Sequence, residues 1–166
     1  MKALVVHSSR HGGTRGIAEH IGATLREHGI EADVRAVSDH PDPGPYGAVI
    51  FGSAVYYGRW TKEATAFVRT HTESLAVRPV WIFSSGPTGT EMKPEHTALK
   101  DAEEARTAVA ARDHRVFFGA IDPNGLSFKE RLIVHGVKAP VGDFREWEEI
   151  GRWATMIATD LSAMAA

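Results

Sequence analysis

The sequence predicts a three-layer α/β/α sandwich, in which a five-stranded parallel sheet of order 2-1-3-4-5 is covered by helices on both faces. Three observations predict it. Short apolar runs alternate with stretches of helical periodicity along the whole chain. Most of those runs are continuous rather than alternating, which is the mark of strands buried on both faces. A length of 166 residues, 43% hydrophobic and 24% charged, suits a single domain over residues 1–166 with a sizeable core. Right-handed crossovers leave few topologies. The order 2-1-3-4-5 sets a crevice at the carboxyl ends of strands one and three.

The first strand covers residues 2–7, with Ala3, Leu4, Val5 and Val6 apolar. A loop, residues 8–13, leads into a helix over residues 14–28, where Ile17, Ile21 and Leu25 recur at helical spacing and Gly29 follows as C-cap. Residues 32–37 alternate and form a half-exposed strand at the sheet edge. The cluster Pro41-Asp42-Pro43-Gly44-Pro45 breaks regular structure. Residues 48–52 are a third strand, fully buried. Thr61 caps a helix that runs to about Leu75, with Ala64, Phe67 and Val68 toward the core and Glu63 and Glu73 toward water. Residues 80–83 are the fourth strand, residues 98–111 an alanine-rich helix, and residues 115–120 the fifth strand. The last helix starts after Gly142-Asp143 and ends near Met164. Trp81, Trp147 and Trp153 are expected in the core.

Three loops leave the sheet side by side. The first, Ser8-Ser9-Arg10-His11-Gly12-Gly13-Thr14, joins a buried strand to a helix start. Free N–H groups and a partial positive charge face such a turn. Glycines let its backbone curl closely round a ligand, and successive N–H groups form a nest for phosphate oxygens. His11 and Arg10 favour an anion there; Arg15 either does the same or is a solvated helix residue. The second loop, residues 52–60, combines small residues with Tyr56, Tyr57 and Trp60, which either stack on a flat ring or pack under the following helix. The third, residues 84–90, again mixes Ser84, Ser85, Gly86 and Gly89 with hydroxyl neighbours, suited to backbone bonds to a ring edge. A ligand with a phosphate at one end and a planar heterocycle at the other touches all three loops, and FMN has that shape.

The pattern Ser9-x-x-Gly12-x-Thr14 resembles the phosphate-binding signature of the flavodoxins, and residues 46–53 resemble their third strand and flavin loop. The fold class is thus a flavodoxin-like sandwich, with the resemblance covering residues 1–160. Within that superfamily the chain is most similar to the menaquinone-dependent protoporphyrinogen IX dehydrogenases. The cues are residues 8–15, residues 53–58, the segment after the fifth strand, and Asp143-Phe144-Arg145-Glu146-Trp147. The resemblance implies that Ser9, Arg10, His11, Gly12, Gly13 and Thr14 hold the FMN phosphate. It also implies that Ser53, Ala54, Val55, Tyr56, Tyr57 and Gly58, with Ser84, Ser85, Gly86 and Gly89, hold the isoalloxazine. The flavin carries the redox chemistry, so no catalytic side chain is expected.

Two functions compete. One is an FMN-dependent oxidoreductase that passes electrons to a quinone or similar acceptor. The other is a flavodoxin carrier that serves redox proteins. Carriers commonly steer partners with an acidic face. This chain has a net charge of only −2 and sets Arg10, Arg15, Arg59, Lys62 and Lys93 near the loops against Glu63 and Glu91. That near-neutrality also argues against nucleic acid as a partner. The absence of cysteine excludes disulfides, thiolate ligands and cysteine nucleophiles. None of the nine histidines makes a helical pair or compact set, so no metal is expected. No Walker lysine follows the glycines and no acid cluster ends the first strand, which disfavours a nucleotide hydrolase or a phosphate receiver. No leader peptide or membrane span is read, and the expected location is cytoplasmic. Residues 122–137 form an insertion in which Ser127 caps a short helix bearing Phe128, Leu132, Ile133 and Val137. That helix either packs on the sheet edge, or forms a wall for an apolar substrate or a membrane contact through residues 126–138, with Lys129, Arg131 and Lys138 at the rim.

Overall fold

The computed structural model describes all residues from Met1 to Ala166. The elements in order are β1 (Lys2–Ser8), α1 (Gly13–Glu27), β2 (Glu31–Ala36), β3 (Ala48–Tyr56), β4 (Arg59–Trp60), α2 (Lys62–Ala76), β5 (Val80–Ser85), α3 (Pro94–Thr97), α4 (Lys100–Val109), β6 (Asp113–Phe117), β7 (Ala120–Ile121), α5 (Phe128–Gly136), β8 (Gly142–Asp143) and α6 (Trp147–Ala165). Five strands run parallel in the order β2-β1-β3-β5-β6, which is the topology the apolar runs predict.

Alternation along each strand splits the core in two. Ala3 and Val5 of β1, Ile50 of β3 and Trp81 and Phe83 of β5 face α1 and α6, beside Ile17, Ile21 and Trp153. Leu4, Val6, Val49, Phe51, Val80 and Ile82 face the other way, against Phe67, Ala102 and Val109 of α2 and α4. The register stacks Val5, Ile50 and Trp81 in one row across three strands. Gly52 has a packing reason: a Cβ there would lie 2.0 Å from the Phe83 ring. That ring packs directly on the β3 backbone.

Several elements differ from expectation. The third strand does not stop at Gly52 but continues to Tyr56 and folds back through Tyr57 and Gly58 onto β4. Both turn residues have positive φ, 52° and 70°, as a two-residue hairpin with right-handed twist requires. The alanine-rich helix starts at Lys100, because Pro94 begins a separate short turn, α3, that ends at Thr97. The fifth strand spans Asp113–Phe117 rather than residues 115–120, and Ala120 pairs instead with Asp143 in a small antiparallel ladder. Trp147 is not core: it is 38% exposed at the start of α6, where it packs against His20. Trp81 and Trp153 are buried. Gly29 has φ +79°, as the expected helix stop demands. Helix α5 forms with Ser127 as its cap, but it does not pack on the sheet edge. Phe128 (77%), Leu132 (57%) and Val137 (63%) lie exposed.

Candidate cofactor site

At the carboxyl end of the sheet, β1, β3 and β5 deliver their loops together. The first loop shapes itself. The Gly12 N–H donates to Ser9 Oγ at 3.0 Å, and Gly12 takes φ +85° as the N-cap of α1. Glycine offers no side chain to cap the helix, and no acidic residue stands in its first turn. The N–H groups of Gly13, Thr14 and Arg15 therefore lack intrahelical acceptors; the first such bond is Gly16 N–H to Gly12 O. By contrast α2 is capped by Thr61, and α5 by a Ser127–Glu130 capping box. Thr14 is 2% exposed, and its hydroxyl makes no hydrogen bond within the chain.

The neighbouring basic residues are disposed in different ways. Arg15 pairs with Glu19 at 2.7 Å, the solvated-helix reading. Arg10 lies over the Tyr56 ring, 5.1 Å from its centroid. His11 Nε2 sits 3.0 Å from Glu130 Oε1, which ties the loop to α5. Bonds from the Ser127 backbone and side chain, with His11 after them, hold the Glu130 carboxyl below its usual range. His7, at the end of β1, is buried with Nδ1 unpartnered, and burial pushes its pKa down, so the ring is neutral. A cleft of about 220 Å³ opens on the β2 side of the same loop, between Ser9 and Arg10 on one wall and Thr61 and Glu63 on the other.

In the second and third loops the structure divides the expected residues by job. Ser53 is fully buried; its hydroxyl donates to Ala54 O and accepts from Thr61 N–H. Ser84 is equally buried, accepting from Trp60 Nε1 at 2.9 Å and bonded to His114 Nε2 at 2.9 Å. Those two side chains hold the frame together and do not face the crevice. Trp60 belongs to the core, edge-on to Phe51. Ser85, 2% exposed, has a hydroxyl with no partner in the chain. Ala54 is buried, Val55 and Tyr56 are half-buried, and Tyr57 at the hairpin tip is 75% exposed. Burial raises the Tyr56 hydroxyl pKa, so it stays protonated.

Gly86 sits where three backbones converge. A Cβ there would come 2.8 Å from Val55 O, and one on Gly119 would come 3.1 Å from Gly86 Cα. Gly119 N–H donates to Pro87 O at 2.8 Å, locking the loop after β6 to the third loop. Gly58 and Gly89 both have positive φ, and a Cβ on Gly89 would touch Pro140 of the insertion. Missed in the sequence were Glu130, Gly119 and the Arg59–Asp101 pair. In that pair a nearly buried carboxylate accepts two guanidinium bonds, at 2.8 and 3.0 Å, and the Trp60 N–H. Only the Ser127-x-x-Glu130 spacing advertised any of these. No group of three or more His, Asp or Glu that could hold a metal ion is present, and no helix is long and apolar enough to cross a membrane.

Residues 4–146 match the model of the flavodoxin domain family. The chain belongs to that family. A curated relative, protoporphyrinogen IX dehydrogenase [quinone] of Escherichia coli K12, is 26% identical, with 95% of each chain covered. Among solved structures, a flavodoxin from the domain Archaea superposes with TM-score 0.67 at 18% identity, covering 98% of this chain and 99% of that one. Rubredoxin oxygen:oxidoreductase from Desulfovibrio gigas superposes with TM-score 0.66 at 15% identity, covering 99% of this chain and 37% of its own. Flavin is the cofactor typical of this family, and this chain's residues fit its phosphate. The α1 start is uncapped and free of acid, and Thr14, a nearly buried residue beside it, keeps a hydroxyl with no partner in the chain. The second and third loops add the Ser85 hydroxyl and close backbone approach at Gly86.

Proposed function

We propose that the chain is an FMN-dependent oxidoreductase that moves electron pairs from an organic substrate, of the porphyrinogen class, to a quinone. The observation that carries the proposal is the apolar face of α5. Phe128, Leu132, Ile133 and Val137 stand in solvent on a helix bonded to the phosphate loop through Glu130 and His11. An apolar patch with no internal partner calls for an external one. Large, planar, poorly soluble substrates and acceptors match it. A small carrier that docks on protein by charge does not need it. The relative at 26% identity, a quinone-linked protoporphyrinogen IX dehydrogenase, agrees with that chemistry.

In this reading Ser9, Gly12, Gly13 and Thr14 take the phosphate, with Arg10 and His11 beside them. Residues 54–58 and 85–89 take the ring through backbone groups, the Ser85 hydroxyl and Tyr56 or Tyr57. When bound, FMN supplies the hydride and electron chemistry, and the chain binds it, orients it and limits water around it. Lys129, Arg131 and Lys138 rim the apolar face and suit peripheral contact with an anionic membrane surface, where quinones dissolve. The chain then works on the cytoplasmic side.

The test is anaerobic turnover of the FMN-loaded chain with protoporphyrinogen IX and a menaquinone analogue, read by porphyrin fluorescence. The proposal expects turnover that requires both FMN and quinone. An FMN-loaded chain that passes electrons to a redox protein but oxidises no porphyrinogen with any quinone is a carrier instead. Vesicles rich in phosphatidylglycerol should sediment the chain where neutral vesicles do not; equal behaviour with both removes the membrane contact.

A further inference from the structure

We infer that Arg145 selects the phosphorylated flavin: its guanidinium, brought to the start of α1 by the stem of the insertion, discriminates FMN from riboflavin. The inference rests on the FMN reading above and adds to it a residue from the far end of the chain. Arg145 Nη1 donates to Gly13 O at 3.3 Å, in the first turn of α1, from 132 residues away in sequence. Its side chain is 18% exposed. The Arg145 guanidinium is fixed by Asp143, through Nε at 2.9 Å and Nη2 at 2.7 Å, and stacks on Trp147 with 4.6 Å to the ring centroid. Asp143 is placed in turn by the β7–β8 ladder. A guanidinium has five donors, so the three bonds to Asp143 and Gly13 leave two of them unused.

Two further facts point to an anion here. A helix N-terminus carries partial positive charge, and this one has neither an acid nor a side-chain cap of its own; Arg145 adds a further positive charge on the flank of the first turns, where it meets the Gly13 carbonyl. Asp143 offsets part of that charge, and a bound phosphate balances the rest. The nearly buried Thr14, its hydroxyl unpartnered, lies at the same turn. The other nearby basic residues have different partners: Arg10 the Tyr56 ring, His11 Glu130, and Arg15 Glu19.

The sequence of α1 is adapted to Arg145. Glycine inside a helix is destabilising relative to alanine, yet Gly16 stands in the first turns. A Cβ there would lie 2.5 Å from Arg145 Nη1. The missing side chain at Gly16 leaves room for the guanidinium on the flank of α1, beside its first turn.

The experiment titrates the apo chain with FMN and, separately, with riboflavin, which lacks the phosphate, and reads the ratio of the two Kd values. Arg145→Gln should lower the preference for FMN by about five- to tenfold, the scale of one charge–charge interaction across a few ångströms of water, with riboflavin affinity unchanged. Arg145→Lys should restore part of it. Gly16→Ala, a change that favours the helix and pushes aside a flexible side chain, should also lower the ratio while the melting temperature holds or rises. An unchanged ratio in both variants overturns the inference alone, and equal loss of FMN and riboflavin reduces Arg145 to a structural role. A wild-type chain that binds neither flavin overturns the cofactor reading and the inference with it.

Discussion

On one flank of the candidate cofactor site the β3–β4 hairpin is held by buried polar groups, whereas α5 on the other flank is held by exposed ones. The hairpin rests on Trp60, 5% exposed, on Asp101, 6% exposed, with its three bonds, and on the Ser53 and Ser84 hydroxyls beneath. Helix α5 touches the first loop through His11 and Glu130, whose side chains are 29% and 34% exposed, and turns its apolar residues outward. Buried hydrogen bonds resist breaking because each freed partner is left unsatisfied; exposed polar pairs contribute little. The hairpin is thus frame, and α5 is an adjustable surface.

The comparison breaks most directly at Trp60. Trp60→Ala should cost about 3–5 kcal/mol of stability, as large core truncations do, measured by denaturant unfolding; a loss below 1 kcal/mol would make the hairpin as loosely held as α5. Asp101→Asn should cost about 1–3 kcal/mol by weakening the Arg59 fork and the Trp60 cap. Its pH signature has a definite sign. Arg59 holds the Asp101 carboxyl below its ordinary range, so its contribution is full above that range and is lost as acid protonates it through the lowered pKa. The variant should therefore show a shallower loss of stability in acid than the parent.

The strand order and both core faces were legible in the sequence because Leu4, Ile50 and Ile82 sit in short uninterrupted apolar runs separated by helices, the pattern of a doubly covered parallel sheet. The hairpin was not. Ser53 and Ala54 look like loop residues, and nothing local says that a serine hydroxyl will be buried against Thr61. The turn itself carried a signal, since Gly58 follows a residue that must also take positive φ, but Tyr57 is an uncommon choice there. Trp147 misled because a tryptophan on an amphipathic helix is usually core, while here Arg145 and His20 flank it at the surface. The first loop was legible as a glycine-rich strand-to-helix turn. Arg145 was not, because its place depends on a ladder closed by residues more than twenty positions apart.

Smaller effects sharpen the contrast. Thr14→Ala should weaken FMN binding by about 1–3 kcal/mol, the scale of a hydrogen bond to a charged group, read by flavin fluorescence; an unchanged Kd removes Thr14 from the site. Burial pushes both His7 and His114 below the ordinary histidine value. Neutral rings in the fold and charged rings in the unfolded chain make stability fall as pH drops from neutral through that window. His114→Gln, which keeps a partner for Ser84, should remove part of that fall. Least of all, Phe128→Ser with Leu132→Ser should change stability by no more than about 0.5 kcal/mol while slowing quinone-linked turnover. A large loss of stability would show that α5 has a partner within the fold.

The account stands on three loops gripping one mononucleotide with its phosphate at the start of α1. Amide NMR of the apo chain during an FMN titration tests it most directly. The account predicts quenched flavin fluorescence together with shifts at the N–H groups of residues 10–15, 54–58 and 85–89. Unquenched flavin, with those amides unmoved, would contradict it.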